Sequence, residues 1–151
     1  MSKENKQNIV EIKDPGTGEV IRTLVYVDKD GVRIYKDQDT GEVAKTLKIL
    51  NGGVSNEQIA AWKGEHRKVH AIEIEDDGDL FIGYFKRPSM ETMSAVNKLA
   101  KTDEIKSSEA MFNNCWIGGD PTIKSDGMLK IAAIGQLGVL FNSCVGSLKN
   151  L

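Results

Sequence analysis

Val69-His70-Ala71-Ile72-Glu73-Ile74-Glu75, Asp76-Asp77-Gly78-Asp79, Leu80-Phe81-Ile82-Gly83-Tyr84-Phe85-Lys86, then Arg87-Pro88: this run decides the fold. Residues 69–75 alternate, with Val69, Ala71 and Glu73 on one side and His70, Ile72 and Ile74 on the other. That period of two predicts a strand. The Asp-Asp-Gly-Asp cluster predicts a hairpin turn, and residues 80–86 its partner strand. Lys86-Arg87-Pro88 then separates strand pattern from helix pattern. Pro88 ends the strand and Ser89 can cap a helix.

Downstream, Met90, Met93, Val96, Leu99 and Ala100 recur at helical spacing. Asp103 caps a further helix with Glu104 at its positive end. Ile105, Ser108, Phe112, Cys115 and Trp116 form its apolar face, and Gly118-Gly119 followed by Pro121 predicts its stop. Ser125 or Asp126 opens a last apolar helix reaching to about residue 148. Upstream, Ser55 or Asn56 caps a helix that runs to about His66, with Ile59, Trp62 and the stem of Lys63 on one face. Asn51-Gly52-Gly53 is the clearest linker. Before it, residues 9–47 read as a β-meander, with turns at residues 14–18, 28–31 and 37–41, while residues 1–8 read as frayed. The segment 17–24 is echoed by 40–47, through a duplicated hairpin or through two independent uses of one turn-then-strand solution; with two copies the second is preferred. The fold class is α+β: an N-terminal β-meander (1–50), then a domain (51–151) of helix, β-hairpin and three C-terminal helices.

The 151 residues are 40% hydrophobic, enough for a core, and the formal charge of −2 gives no support to nucleic-acid binding. The polar, lysine-containing start lacks an apolar signal region. No charge falls between Lys130 and Lys149, but Gln136, Ser143 and Ser147 share a stripe of that run, so a mostly buried helix is read rather than a membrane span. Cys115 and Cys144 sit among apolar residues of predicted helices and are read as buried, reduced thiols.

No residue pattern predicts catalysis, a metal or a cofactor. His66 and His70 are four apart, but a helix end falls between them, and no third histidine exists. The Asp-rich turns lack the ligand alternation of a calcium loop. Gly135-Gln136-Leu137-Gly138 lies within a helix rather than after a strand, so it cradles no phosphate. Cys115 has no visible base partner. Lys86-Arg87, beside Tyr84 and Phe85, reads as a solvated turn.

From about Ser55 onward the chain resembles a family of small bacteriophage and prophage proteins described as tail assembly chaperone-like. The residues that carry this are Glu57-Gln58-Ile59-Ala60-Ala61-Trp62-Lys63, the hairpin, Lys86-Arg87-Pro88, Ser94-Ala95, Asp103-Glu104-Ile105-Lys106, Glu109 and the run Asn114-Cys115-Trp116-Ile117-Gly118-Gly119-Asp120. The resemblance covers about two thirds of the chain. It implies no enzyme activity, no cofactor, and binding to phage tail or other virion proteins in the bacterial host cytoplasm during assembly. The first 50 residues are an addition to that pattern, and they raise the alternative of a structural or adaptor subunit of the particle.

Two expectations concern packing. Trp62, Phe112, Trp116 and the apolar face of residues 128–148 should pack over the hairpin. The last helix is apolar almost all round, more than one small domain needs, so the surplus should meet a partner or a second copy. Met90, Met93, Leu137, Leu140, Phe141 and Leu148 are the candidate partner-binding residues, methionines being suited to adaptable surfaces.

Overall fold

The computed structural model describes the backbone of residues 10–13, 20–27, 32–37 and 43–151, with side chains from Thr46 onward. The expected turns at 14–18, 28–31 and 38–41 and the frayed start lie outside the described residues. The fold is α+β. The chain groups into two compact units, residues 1–50 with Glu75–Leu80, and Asn51–Ile74 with Phe81–Leu151.

In the first unit, β1 (Val10–Lys13), β2 (Val20–Val27), β3 (Val32–Asp37) and β4 (Val43–Leu50) pair antiparallel, each with the next. The strands of the two echoing segments, β2 and β4, lie on either side of β3. Register shifts within each pairing mark bulges, which sharpen strand twist. Leu47 is fully buried, and Lys48 N donates to Gly78 O at 2.9 Å.

Asn51 begins the second unit, and the expected linker is a packed turn. Gly53 N donates to Asn51 Oδ1 at 3.1 Å, and Asn51 Nδ2 donates to Val54 O at 3.0 Å. Helix α1 (Asn56–Glu65) follows, its first turn closed by Gln58 N donating to Ser55 Oγ. Strands β5 (Val69–Asp76) and β6 (Asp79–Lys86) flank the two residues Asp77 and Gly78, at φ 48° and 87°. Two positive φ values in a two-residue loop define the turn that matches strand twist. Helix α2 (Met90–Ala100) is capped by Ser89 and α3 (Glu104–Cys115) by Asp103. In α5 (Gly127–Phe141), Asp126 Oδ1 accepts from both Met128 N and Leu129 N, at 2.9 and 3.1 Å.

The Cys115-Trp116-Ile117-Gly118-Gly119 run corrects the sequence reading. Helix α3 stops at Cys115, and Trp116–Gly119 form a short strand, β7, antiparallel to β6. Gly83 faces Gly119, Tyr84 faces Gly118 and Phe85 faces Trp116. Glycine permits this approach: a Cβ on Gly119, which sits at φ 132°, would lie 2.5 Å from Ile82 O. Asp120 N closes the pairing by donating to Ile82 O at 3.0 Å. A one-turn helix, α4 (Thr122–Ser125), then leads into α5.

Strand β6 is buried along nearly its whole length because both faces are covered. Successive side chains point to opposite faces. On one, Phe85 meets Phe112 and Trp116 edge-on, with centroids 5.5 and 5.4 Å away, and Trp116 stacks on Phe112. Fully buried Ile123, Cys115 and Leu137 belong to the same core. On the other, Trp62 lies 5.6 Å from Tyr84. Each tryptophan rests on a glycine. A Cβ on Gly83 would meet the Trp116 ring at 2.7 Å, and one on Gly118 would meet Trp62 at 2.5 Å. Trp62 therefore covers the hairpin from the side opposite Phe112 and Trp116, rather than joining their cluster.

The last helix is shorter than expected. It ends at Phe141, where Asn142 N and Ser143 N make turn hydrogen bonds to Val139 O and Leu140 O. Val145 and Leu148 lie beyond it, at 93% and 91% exposure, and Cys144 is exposed rather than buried.

Candidate partner surface

Helix α5 buries one stripe, Leu129, Ala133 and Leu137, spaced by four. Four-residue spacing fills a single helical face, so its other apolar residues must point elsewhere. Met128 is 84% exposed, Ile131 72% and Val139 65%. Ile105, assigned by its spacing to the apolar face of α3, is 74% exposed. Ile105 and Ile131 line one groove of about 470 Å³ between α3 and α5, with Ser108 and Ile134 along it. Its polar rim includes Glu104, Glu109 and Lys130; Lys130 Nζ lies 4.0 Å from Glu109 Oε1 and 5.3 Å from the Phe112 ring centroid. The wall is thus apolar, with charges of both signs at its edge. That arrangement suits an amphipathic protein segment, since apolar centre and polar rim are what protein interfaces combine.

The six candidate residues divide. Met90 is 83% exposed at the start of α2, and Met93 is half-buried. Phe141 is half-buried and lines a second groove of about 170 Å³ together with Val96, Met111 and Ile134. Leu140, also half-buried, lines a third of about 320 Å³ beside residues 70–73. Leu137 is 1% exposed, part of the buried stripe, and so is a core residue with no surface to offer. Leu148 is exposed but lies outside any helix. The residues that build the largest of these grooves, Ile105 and Ile131, were not among the six. Their signal was surplus hydrophobicity, which does not say which side is surplus.

The polar chemistry is sparse. His66 follows the last residue of α1, with Nε2 3.6 Å from Glu65, and His70 is on β5. His70 Nε2 accepts from Arg87 Nε at 3.3 Å, a bond that requires that nitrogen unprotonated. Burial, then the charges of Arg87 and Lys68, hold His70 below the usual imidazole range. Burial pushes the Cys115 thiol up to about 11 against the opposing pull of Lys86, so at neutral pH it carries no thiolate. Among the described residues, no group of three or more His, Cys, Asp or Glu is placed to hold a metal ion, and no helix is long and apolar enough to cross a membrane.

No protein-family model matches the chain, and neither a curated protein nor a solved structure is significantly similar to it.

Proposed function

We propose that the chain is a non-enzymatic bacteriophage morphogenesis protein that binds a tail component during assembly, as tail assembly chaperones do. One observation carries the binding role: the exposed apolar groove in which Ile105 and Ile131 face solvent at 74% and 72% exposure. Burying one such side chain is worth about 1.5–3 kcal/mol, so a few of them support a specific contact. The phage setting rests on the sequence resemblance. The site of action on this reading is the cytoplasm of the infected bacterium.

Co-expression with the tail components of a phage tests the reading. A tail component that is insoluble alone should stay soluble with the wild-type chain, and Ile131→Glu should abolish that effect while the fold persists. Unchanged protection by Ile131→Glu, or no protected component, would sink it. The alternative, a structural or adaptor subunit of the particle, draws on the four-stranded first unit, which a transient chaperone does not need. Presence of the chain in purified particles would select it.

A further inference from the structure

Past α5 the chain carries apolar residues that no described residue covers. Asn142 N and Ser143 N end the helix with turn hydrogen bonds, and residues 142–151 follow without a helix or strand. Val145, Leu148 and Leu151 are all exposed there. Their spacing of three puts them within about 120° of one another on a helix, so the segment has one apolar side when coiled. Gly146 and Asn150 fall on the opposite side, and Lys149, the segment's single charged side chain, falls on the flank. On its own so short a segment forms no stable helix, the more so with a glycine inside it.

The groove between α3 and α5 offers the seat that this segment lacks. Ile105, Ile131 and Ile134 line it, and its α5 wall runs from Gly127 to Ile134, about 10 Å. Residues 145–151 coiled as a helix are about 9 Å long, whereas extended they would be about 19 Å and overrun the groove. Charge agrees with length. The rim bears Glu104 and Glu109 against one cation, Lys130, which lies 4.0 Å from Glu109. That leaves Glu104, exposed on α3, to meet Lys149. The segment does not fill the groove of its own chain, since its three apolar side chains face solvent. We propose that residues 145–151 of a second copy coil into the α3–α5 groove, with Lys149 beside Glu104, and that two copies exchange these segments reciprocally. Each copy owns one segment and one groove, so the exchange closes a two-fold dimer. The second docking is then intramolecular and gains from a high effective concentration. The dimer keeps the groove filled until a partner with a tighter-binding segment displaces it. The inference rests on the proposed function only in taking this groove for a binding surface, and it needs nothing of the phage setting.

Sedimentation velocity on the full chain tests the exchange, with far-UV circular dichroism to confirm folding. Wild type should dimerise. Leu148→Asp spoils the segment and Ile131→Glu the groove, both at exposed positions outside the core. Each alone should raise the dimer dissociation constant more than about tenfold, because symmetry removes two dockings at once. An equimolar mixture of the two variants should associate more tightly than either does alone, since the groove of one still accepts the segment of the other. Lys149→Glu should raise the dissociation constant about two- to tenfold. A wild type that stays monomeric up to about 100 μM overturns the proposal. So does a dimer indifferent to Leu148→Asp or Lys149→Glu, or a mixture no better than its parts. The co-expression assay keeps the two readings apart. Leu148→Asp, whose groove is intact, should still protect a tail component. Protection by a chain that never dimerises sinks the exchange and leaves the binding role standing; a dimer that obeys the variants while no component is protected does the reverse.

Discussion

Gly83→Ala should destabilise the protein by about 1–2 kcal/mol, although on chain entropy alone it would stabilise it. Replacing a strand glycine by alanine normally gains about 0.5–1 kcal/mol. Gly83 is not at positive φ, so that gain is available. Sterics oppose it. The new methyl would lie 2.7 Å from Trp116 Cζ3, 3.0 Å from Phe85 Cε2 and 3.3 Å from Ile123 Cδ1. Trp116 is half-buried and can tilt, but Phe85 and Ile123 are fully buried and have nowhere to go. Overpacking of this kind costs about 1–3 kcal/mol, which exceeds the entropic gain. The assay is urea denaturation followed by far-UV circular dichroism, run on Gly83→Ala, Trp116→Phe and the double variant. Trimming the indole opens the space that the methyl needs, so the double variant should be more stable than additivity predicts by about 0.5–2 kcal/mol. A Gly83→Ala variant as stable as wild type, or strict additivity in the cycle, would refute the glycine-shelf account of β6 and β7.

Thiol chemistry and pH give two further checks. A maleimide at neutral pH should label one thiol per native chain, at exposed Cys144, because Cys115 is fully buried with its thiol pushed up to about 11; labelling of both in the folded state would contradict the packing around Phe112. His70 should make the protein acid-sensitive. Its folded-state pKa is lowered, so its contribution is present above about pH 6.5, where both states are neutral, and is lost as the unfolded chain takes up a proton below that. The fall in melting temperature from pH 7.5 to 5.5 should be smaller in His70→Asn than in wild type, and an equal fall would remove His70 from the account.

Local signals were legible where the chemistry is local. Ser89 and Asp103 cap their helices, and of the pairs offered at the other two starts Ser55 and Asp126 are the caps, because each needs only its own side chain and an amide two or three residues on. Asp77-Gly78 makes its turn for the same reason. Strand β7 was not legible. Trp116 stands four residues after Phe112, so the helical period continues through it. What ends the helix there is a pairing with residues some thirty positions upstream, possible because Gly83, Gly118 and Gly119 leave room. The partner surface was half legible. An all-round apolar α5 announces a surplus, but periodicity cannot tell Leu137, which is buried, from Ile131, which is exposed. That choice is made by where α3 crosses it.

The two tryptophans shelved on glycines tie the reading frame of one segment to another. Trp116 packs on Gly83 and Trp62 on Gly118, on opposite faces, although Trp116 and Gly118 stand two apart and strict alternation would put them on one. The register shift at Tyr84/Phe85, which leaves Ile117 as an extra residue, carries the strand across. Deleting Ile117, or inserting a residue beside it, would remove or enlarge that bulge and set a side chain where a glycine must be. Lengthening the turn after Asp120 would leave the bulged pairing untouched. The four residues of β7 are thus closed to changes of length, while the connections around them stay open.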